Sequence, residues 1–256
     1  MDNWVLIPCH NNSALLIDGL ESILAQTISV RIFAIDNAST DNTPFILNTL
    51  NNKHVVVRFD PQLGVAGAWN FGLNYLFNKE EVKHVLVVNQ DVIIRPDTYA
   101  ALIKQNLGFV SAVSRGTKHG LEDQLDFSNM CSTRPNPDFS CFLVQKSCFE
   151  RVGEFDETFY PAWFEDNDYH IRAARAGIEL YCIDFPFYHY AAGTMKNATE
   201  EERANYYNPG FLHSKQYFLD KWGVLPGTKE YENMCNPAYW TTTADNDRHK
   251  MYALRA

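Results

Sequence analysis

The order of short apolar runs and helical segments in the first half of the chain is the feature that most constrains its fold. Four runs of mostly apolar, β-branched residues alternate with segments of helical periodicity. This order favours a mostly parallel sheet with helices on both faces, and ligands bind beyond the carboxyl ends of such strands. The predicted strands are Trp4–Ile7, Arg31–Ile35, Val55–Phe59 and His84–Asn89, and helices are predicted from Ser13, Thr43, Gly64 and Pro96.

The composition limits the classes of protein to consider. With 256 residues, 46% of them hydrophobic, the chain can form one large domain or a domain with a tail. A net charge of -9 argues against a general nucleic-acid-binding surface. The six cysteines form no CxxC pair, which favours free thiols in a reducing compartment. Neither a signal peptide nor a membrane-spanning apolar stretch is visible, so we expect the cytoplasm of a bacterial cell or of a phage-infected host.

Three polar segments coincide with the expected ligand-binding edge of the sheet. Ile35–Asp41 places Asp36 and small polar residues after the second strand, although an ordinary turn has the same composition. Gly64–Gly72 is a glycine-spaced helix entry, which permits close approach of a nucleotide or tight packing. It is not the G-x-G-x-x-G pattern of dinucleotide-binding folds. Asn89-Gln90-Asp91 follows the apolar part of the fourth strand. Its side-chain oxygens suit Mg²⁺ or Mn²⁺, although an acid at the end of a strand can also simply cap the following turn.

The second half of the chain has a less regular pattern. A polar stretch at Lys118–Pro137 predicts a long surface loop over the site. Strand character returns at Phe139–Val144 and again at Glu179–Ile183. Between them, a helix is predicted from the acidic cluster near residue 165 to Gly177, a typical C-terminal cap.

The acidic cluster Glu165-Asp166-Asn167-Asp168 is the candidate catalytic segment. Acids are common at helix starts for dipole reasons alone, and Asp168 can pair with Arg172 one turn later. Asp166 is therefore the better candidate for a general base. His189 lies among aromatic residues, where a histidine is either a hydrogen-bonded core residue or a ligand.

Together these motifs resemble the family 2 nucleotide-sugar glycosyltransferases, which have the GT-A fold. The resemblance covers Trp4 to Gly223, with the motifs in the family's order. The most specific part is Phe155–Phe159 followed by Phe164–Asp168, which is similar to the family's G-x-F-D-E-x-F…E-D-x-D run. Asn89-Gln90-Asp91 stands where the D-x-D motif belongs, with asparagine replacing the first acid. Cys9 stands where many relatives carry a hydroxyl residue.

The resemblance implies an α/β fold of GT-A type, with a mostly parallel central sheet flanked by helices and an irregular acceptor-side half and tail. It implies a domain at 1–223, with a donor-binding half at about 1–115 and an acceptor and catalytic half at about 116–223. Residues 224–256 would form a C-terminal extension, packed on the domain or trailing from it.

The resemblance also implies roles for individual residues. Asp36 would contact the base of the nucleotide, and Asp91 with His189 would bind Mn²⁺ or Mg²⁺. Asp166 would act as the base, with Glu165 as a second catalytic residue. Trp163 and Phe164 would lie on the acceptor side. The expected donor-binding residues are Pro8, His10, Asp36, Ala38, Ser39, Gly64, Gly67, Asn70, Asn89, Gln90 and Asp91.

The expected activity is metal-dependent, inverting transfer of a hexosyl or pentosyl group from a nucleotide sugar, most often a UDP-sugar in this family. The acceptor would be a hydroxyl group of a glycan or another soluble molecule. One alternative is a hydroxymethylated base of phage DNA, with a basic patch in the tail facing the phosphates. Two further alternatives are an inactive nucleotide-sugar-binding scaffold and a nucleotidyltransferase.

Overall fold

One mixed sheet of nine strands organises the part of the chain that the structure describes, residues 3–79, 81–115, 131–133, 137–190 and 198–241. The structure is a computed structural model. The strands are β1 (Asn3–Cys9), β2 (Val30–Asn37), β3 (Val55–Phe59), β4 (His84–Val88), β5 (Val92–Ile93), β6 (Phe109–Arg115), β7 (Cys131–Thr133), β8 (Cys141–Gln145) and β9 (Tyr181–His189).

Helices connect these strands and complete the second half. They are α1 (Ser13–Leu24), α2 (Thr43–Leu47), α3 (Gly64–Phe77), α4 (Thr98–Lys104), α5 (Lys146–Val152), α6 (Glu165–Arg175), α7 (Glu200–Glu202), α8 (Asn208–Trp222) and α9 (Lys229–Met234). A π-helical segment, Arg203–Tyr207, joins α7 to α8, and a 3₁₀ helix covers Pro237–Thr241.

The strand order is β3-β2-β1-β4-β8-β6-β9-β5, and β7 pairs with β9 outside this path. β1, β2, β3 and β4 are parallel, as the sequence predicts, so their carboxyl ends share one edge. β8 is antiparallel to both β4 and β6, and β5 is antiparallel to β9. The antiparallel pairing of β5 with β9 brings the segment after β4 next to the end of the last strand.

Strand alternation builds a separate apolar core on each face of the sheet. In β1, Trp4 and Leu6 pack in the cluster that contains residues of α3, such as Leu73. Val5 and Ile7 point to the other face and join the cluster that contains residues of α1, such as Leu16. Both faces are therefore covered by helices, and the mixed α/β class with a mostly parallel sheet is confirmed.

Several predicted boundaries differ from the observed ones. Helix α4 begins at Thr98 rather than at Pro96. Helix α1 begins at Ser13, as predicted, and the Ser13 N–H donates to Asp41 Oδ2 at 2.8 Å. The predicted loop Lys118–Pro137 lies largely outside the described residues, but Cys131–Thr133 within it forms a strand. The last strand continues to His189 because it pairs with β5 and β6.

The segment after Gly223 packs onto the body of the protein as far as it is described. Tyr231, Met234 and Trp240 are buried in a cluster with Phe218 and Ile171. This third cluster joins α6, α8 and α9. Helix α6, which carries the acidic motif, therefore packs against the C-terminal helices. The boundary between a catalytic domain and an extension stays a prediction.

Candidate active site

A cleft of about 670 Å³ opens at the carboxyl ends of the parallel strands. Residues from the ends of β1 and β4, from β9 and from the start of α6 line it. The sheet brings together ten of the residues that the sequence singled out for the site. These are Pro8, His10, Asn89, Gln90, Asp91, Trp163, Phe164, Glu165, Asp166 and His189.

Asp91 and His189 form a pair in this cleft. Asp91 Oδ1 lies 3.4 Å from His189 Nε2, and the backbone N–H of Tyr190 donates to the Asp91 carbonyl oxygen at 2.9 Å. The pairing of β5 with β9 sets this proximity, since Val92 is the register partner of His189. The other ring nitrogen, Nδ1, lies 3.2 Å from the hydroxyl oxygen of Ser140. Both ring nitrogens of His189 are thus held in place by neighbouring residues.

Gln90 fastens the end of β4 to the end of β1. Its Oε1 accepts from the backbone N–H of His10 at 2.9 Å, and its Nε2 donates to the His10 carbonyl at 2.9 Å. The His10 ring reaches the next strand, with Nδ1 2.7 Å from the Asn37 carbonyl oxygen. These bonds fix three neighbouring strand ends relative to one another.

The acidic cluster Glu165-Asp166-Asn167-Asp168 lies at the start of α6. Trp163 and Phe164, just before the helix, have positive φ angles of 76° and 72°, which side chains other than glycine rarely adopt. Such strained backbone concentrates at functional sites. The turn directs Glu165 and Asp166 into the cleft, where Asp138 also lies.

Glu165 and Asp166 of this cluster have raised pKa values. Burial, the largest cause, raises the pKa of Asp166 to about 6, with help from the charge of Asp138 and against a hydrogen bond from the Asn167 amide. That bond runs from Asn167 N–H to Asp166 Oδ1 at 2.7 Å. Burial is the largest cause that raises the pKa of Glu165 well above its usual value, and the charge of Asp166 is the next largest. A carboxylate with a pKa near neutrality suits a general base.

Asp168 is directed away from the cleft into an ionic network, as its spacing from Arg172 suggests. Its carboxylate, which is fully buried, accepts from Arg172 Nε at 2.7 Å and from Trp222 Nε1 at 2.9 Å, and Lys221 Nζ lies 2.8 Å away. Lys221 also reaches Asp156 at 2.6 Å. Burial alone would raise the pKa of Asp156, but the hydrogen bonds from Lys221, the Thr158 amide and Tyr217, together with the charge of Lys221, outweigh it and lower that pKa to about 2. The network ties the closing helix α8 to the acidic motif.

Six of the predicted donor-binding residues do not line the cleft: Asp36, Ala38, Ser39, Gly64, Gly67 and Asn70. Asp36 is 2% exposed, pairs with Arg58 and accepts from the Ser39 N–H at 3.0 Å. Ser39 Oγ accepts from the Asn11 N–H at 2.9 Å, and Ala38 adopts a positive φ of 63° in the same turn. In this structure the turn is therefore held by internal bonds.

The glycine-spaced helix entry also packs against protein. Gly64 has φ of +73°, and a Cβ there would lie 2.9 Å from the Pro161 carbonyl oxygen, which accepts from the Val65 N–H at 2.8 Å. A Cβ on Gly67 would meet the side chain of Leu63 at 3.0 Å. At Gly64 the missing side chain leaves room for the loop before α6, and the role of both glycines towards a nucleotide stays a prediction.

Asn70 has a structural role here. Its Nδ2 donates to the Phe155 carbonyl at 2.8 Å and to Glu157 Oε1 at 2.9 Å, while its Oδ1 accepts from the Phe155 N–H at 2.8 Å. Both N–H groups of the Asn70 amide and one lone pair of its oxygen thus hold the F-D-E turn.

Several other residues that line the cleft were not predicted as site residues, among them Trp69, Asp138, Ser140 and Tyr207. Asp138 and Ser140 directly precede strand β8, the same kind of position that drew attention to Asp91, so they had a usable signal. Trp69 lies within a quoted motif but was not considered for the site. Tyr207 had no local signal, because the fold of the last third of the chain brings it there.

Two absences hold for the described residues alone. Within them, no group of three or more histidine, cysteine, aspartate or glutamate side chains is arranged to hold a metal ion. No helix in the described part is long and apolar enough to cross a membrane.

Comparison with solved structures defines the class. Residues 1–349 of TarS from S. aureus, in complex with UDP-GlcNAc, superpose with a TM-score of 0.61 at 13% identity, covering 98% of this chain and 79% of that one. The mannosyltransferase PcManGT from Pyrobaculum calidifontis, in complex with GDP-Man and Mn²⁺, gives 0.61 at 18% identity, covering 98% and 72%. GalNAc-T7 with UDP, GalNAc and Mn²⁺ gives 0.61 at 12% identity, covering 98% and 58%. Of a longer TarS structure, the chain spans 47%. These likenesses place the chain in the GT-A fold.

A family match covers just under half of the chain. Residues 4–122 match the model of glycosyl transferase family 2, and no curated protein matches the chain significantly. The chain therefore has the GT-A fold, and its residues 4–122 are similar to glycosyl transferase family 2, which agrees with the resemblance seen in its motifs.

Proposed function

We propose that the protein is a metal-dependent, inverting glycosyltransferase, which transfers a sugar from a UDP-sugar to a hydroxyl group of a glycan or other soluble acceptor. The observation that carries the proposal is the meeting of Asp91, His189 and Asp166 in one cleft at the carboxyl edge of the sheet. UDP is favoured as the nucleotide because two of the three compared structures, TarS and GalNAc-T7, hold UDP or a UDP-sugar.

The Asp91–His189 pair fits a divalent metal ion. Two ligand atoms of one octahedral ion, each about 2.1 Å from it, lie about 3 Å apart, which is close to the 3.4 Å between Asp91 Oδ1 and His189 Nε2. Ser140 beside Nδ1 is the kind of partner that orients a metal-binding imidazole. Two protein ligands are few, but Mg²⁺ and Mn²⁺ take most ligands from water and substrate phosphates. When bound, such an ion neutralises charge that develops on the leaving diphosphate.

Asp166 is proposed to accept the proton of the acceptor hydroxyl. As that oxygen forms its bond to the anomeric carbon, the bond from this carbon to the diphosphate breaks and the nucleotide diphosphate leaves. Attack from the side opposite the leaving group inverts the anomeric carbon. The pKa of about 6 keeps Asp166 ionised at neutral pH and still a competent base.

DNA as the acceptor would require a basic patch, for which the sequence offers Lys215, Lys221, Lys229, Arg248, Lys250 and Arg255. Lys215 and Lys229 are exposed, and Lys229 Nζ lies 3.5 Å from Glu232 Oε2. Of the basic residues that could face phosphates, Lys221 is already held between Asp156 and Asp168. Arg248, Lys250 and Arg255 lie outside the described residues. The proposed location in the cytoplasm is supported by the cysteines, since the five whose side chains are described are buried and free.

Thermal unfolding with nucleotides tests the proposal. The purified protein is heated with UDP, GDP or TDP, each with and without Mn²⁺. A ligand at a hundredfold excess over its dissociation constant stabilises the native state by about 2.7 kcal/mol. We expect UDP to give the largest increase in Tm, Mn²⁺ to enlarge it, and Asp91→Ala to remove the Mn²⁺ effect.

The matched control is Asp97→Ala, which removes an acid with a 41% exposed side chain that does not line the cleft. It should leave the nucleotide response intact. A protein that no nucleotide stabilises, with or without metal, contradicts the proposed donor and metal.

A further inference from the structure

The strand β3 forms one end of the sheet, and its outer edge is open in the part of the chain that the structure describes. β3 pairs with β2 on one side, and among the described strands none pairs with its other side. An edge strand presents a row of backbone N–H and C=O groups that can pair with a further strand. The opposite end of the sheet is the two-residue strand β5, which offers a much shorter edge.

The β3 edge has few of the features that protect exposed edges from pairing. Natural proteins interrupt such edges with proline, bulges or charged side chains that point inward. Val55-Val56-Val57 is a run of three β-branched residues, and no register shift interrupts the pairing of β3 with β2. The one charged residue of the strand, Arg58, pairs with Asp36 of β2 and donates to the Ser39 carbonyl at 3.0 Å. Its charge is thus compensated within the chain.

Apolar side chains flank this edge on the face that α3 covers. Phe71 and Tyr75 of α3 are 37% and 42% exposed. Phe71 packs edge-on against Phe59 at a centroid distance of 4.7 Å, so the exposed rings continue the apolar surface of the strand. A short edge alone does not supply the roughly 1,000 Å² that a stable interface needs, and these rings add apolar area beside it. Large exposed apolar groups next to an open edge indicate a surface for a protein partner.

The residues at the two ends of β3 favour a second copy of the chain as that partner. Lys53 precedes the strand and Asp60 follows it, and both are exposed. When two copies of β3 pair antiparallel, Lys53 of each copy lies beside Asp60 of the other, whereas parallel pairing brings like charges together. A two-fold axis produces the antiparallel arrangement, because it uses the same patch on both copies.

The side chains of the strand also match themselves about such an axis. Val57 is the middle residue of β3, so pairing all five residues places it opposite Val57 of the second copy. Val55 then lies opposite Phe59, and these apolar pairs share the face that α3 covers. On the other face Val56 lies opposite Arg58, whose charge is already paired. Within the strand pair, this register therefore places no like charges directly opposite each other.

We propose that the β3 edge is the interface between two copies of this chain, in which the two β3 strands pair antiparallel about a two-fold axis and join two sheets into one. Phe71 and Tyr75 from both copies cover the junction on the α3 face. The proposal is independent of the proposed function, because none of the five residues of β3 lines the cleft.

Sedimentation velocity of the full chain tests the interface. The wild type should give twice the mass of one chain. Val56→Lys should give the mass of one chain, because it places a charge opposite Arg58 of the second copy. Val56 is 36% exposed and belongs to neither core cluster beside the sheet, so the fold should tolerate the change. Leu212→Lys, which adds the same charge at a 64% exposed position on α8, is the control and should remain a dimer.

Two results of this experiment would overturn the proposal. One is a wild-type chain that stays monomeric at every concentration up to about 1 mM, which would leave an extended peptide of another protein as the partner of the edge. The other is a Val56→Lys dimer as stable as that of the wild type, which would place the contact on another surface.

Disulfide cross-linking tests the register and does not depend on the folding of Val56→Lys. Opposite residues of an antiparallel pair have Cα atoms about 4.5–5.5 Å apart, within the range that a disulfide spans. Val57→Cys should therefore form a cross-linked dimer on mild oxidation. Val56→Cys is the matched control, because its two copies are offset by two residues and lie beyond about 7 Å. The wild type, with its six cysteines, sets the baseline. Cross-linking of Val57→Cys no greater than that of Val56→Cys or the wild type would overturn the proposed pairing.

Discussion

The raised pKa of Asp166 predicts a specific dependence of the transfer rate on pH. With a pKa of about 6, the carboxylate is almost fully ionised at pH 7 and about one tenth ionised at pH 5. If Asp166 is the base, kcat/KM should fall about tenfold from its plateau to pH 5 and tenfold more for each further unit. Asp166→Asn should lose at least about a hundredfold in turnover at every pH.

Asp138→Asn is the variant that tests the electrostatic part of the raised pKa of Asp166. Its charge helps to raise the pKa of Asp166, so its removal should lower that pKa and move the acid limb of the profile to lower pH. At pH 5 the variant should keep a larger share of its own plateau rate than the wild type keeps, with a gain of at most about tenfold. Glu150→Gln, an exposed carboxyl, should leave the profile unchanged.

The assay is release of UDP from whichever UDP-sugar stabilises the protein most, between pH 5 and pH 8. Saturating Mn²⁺ prevents competition of protons for the imidazole of His189 from shaping the profile. Identical acid limbs for the wild type and Asp138→Asn would refute the electrostatic reasoning. A wild-type rate that stays at its plateau down to pH 5 would refute Asp166 as the base.

The same pKa shift has a consequence for stability, and its sign is opposite to that of a salt-bridged acid. Between the ordinary value of 3.8 and about 6, folded Asp166 binds more protons than the unfolded chain does. The contribution of Asp166 to the free energy of unfolding therefore decreases as pH rises through this window. Asp166→Asn should accordingly raise Tm at pH 7, whereas a structural Asp166 predicts a lower Tm.

Three further predictions concern positioning and packing. Ser140→Ala should weaken Mn²⁺ binding in the presence of UDP by about tenfold or more, as calorimetry can measure, and an unchanged affinity would exclude Ser140 as an orienting partner. Lys221→Met should lower the free energy of unfolding in urea by about 3 kcal/mol, because the fully buried Asp168 loses its ammonium partner. Gly64→Ala and Gly227→Ala both force alanine to a positive φ, but only at Gly64 would the Cβ meet backbone, so a loss of stability no larger than at Gly227 would contradict the packing argument.

Local sequence signals predicted the parallel half of the fold and several elements of the remainder, but not how those later elements pair. Buried parallel strands such as β1 and β4 are continuous apolar runs, which are visible without any partner. The two-residue strand Val92–Ile93 carries no such signal, and it exists only because β9 lies beside it. The pairing that brings His189 to Asp91 is therefore a long-range effect, although both residues were predicted from motifs that the family shares.

The site was predicted least well where one residue type serves two purposes. Glycines that permit a ligand to approach also permit a loop to approach, and at Gly64 the loop is the neighbour. A buried asparagine that can bind a nucleoside can equally clamp backbone, and Asn70 clamps Phe155. Deciding between such roles requires knowing what packs opposite, which is information about tertiary structure.

The loop from Phe155 to Phe164 explains why donor-side and acceptor-side motifs occur together in this chain. Asn70 holds the start of the loop against α3, and Asp156 anchors it to α8 through Lys221. Its end is the strained turn that aims Glu165 and Asp166 at the cleft. The strain at that turn needs surrounding structure to maintain it, and these two anchors supply it from opposite sides. Residues that do not line the cleft thus help to hold the proposed base in place, which accounts for the specificity of the motif around Phe155.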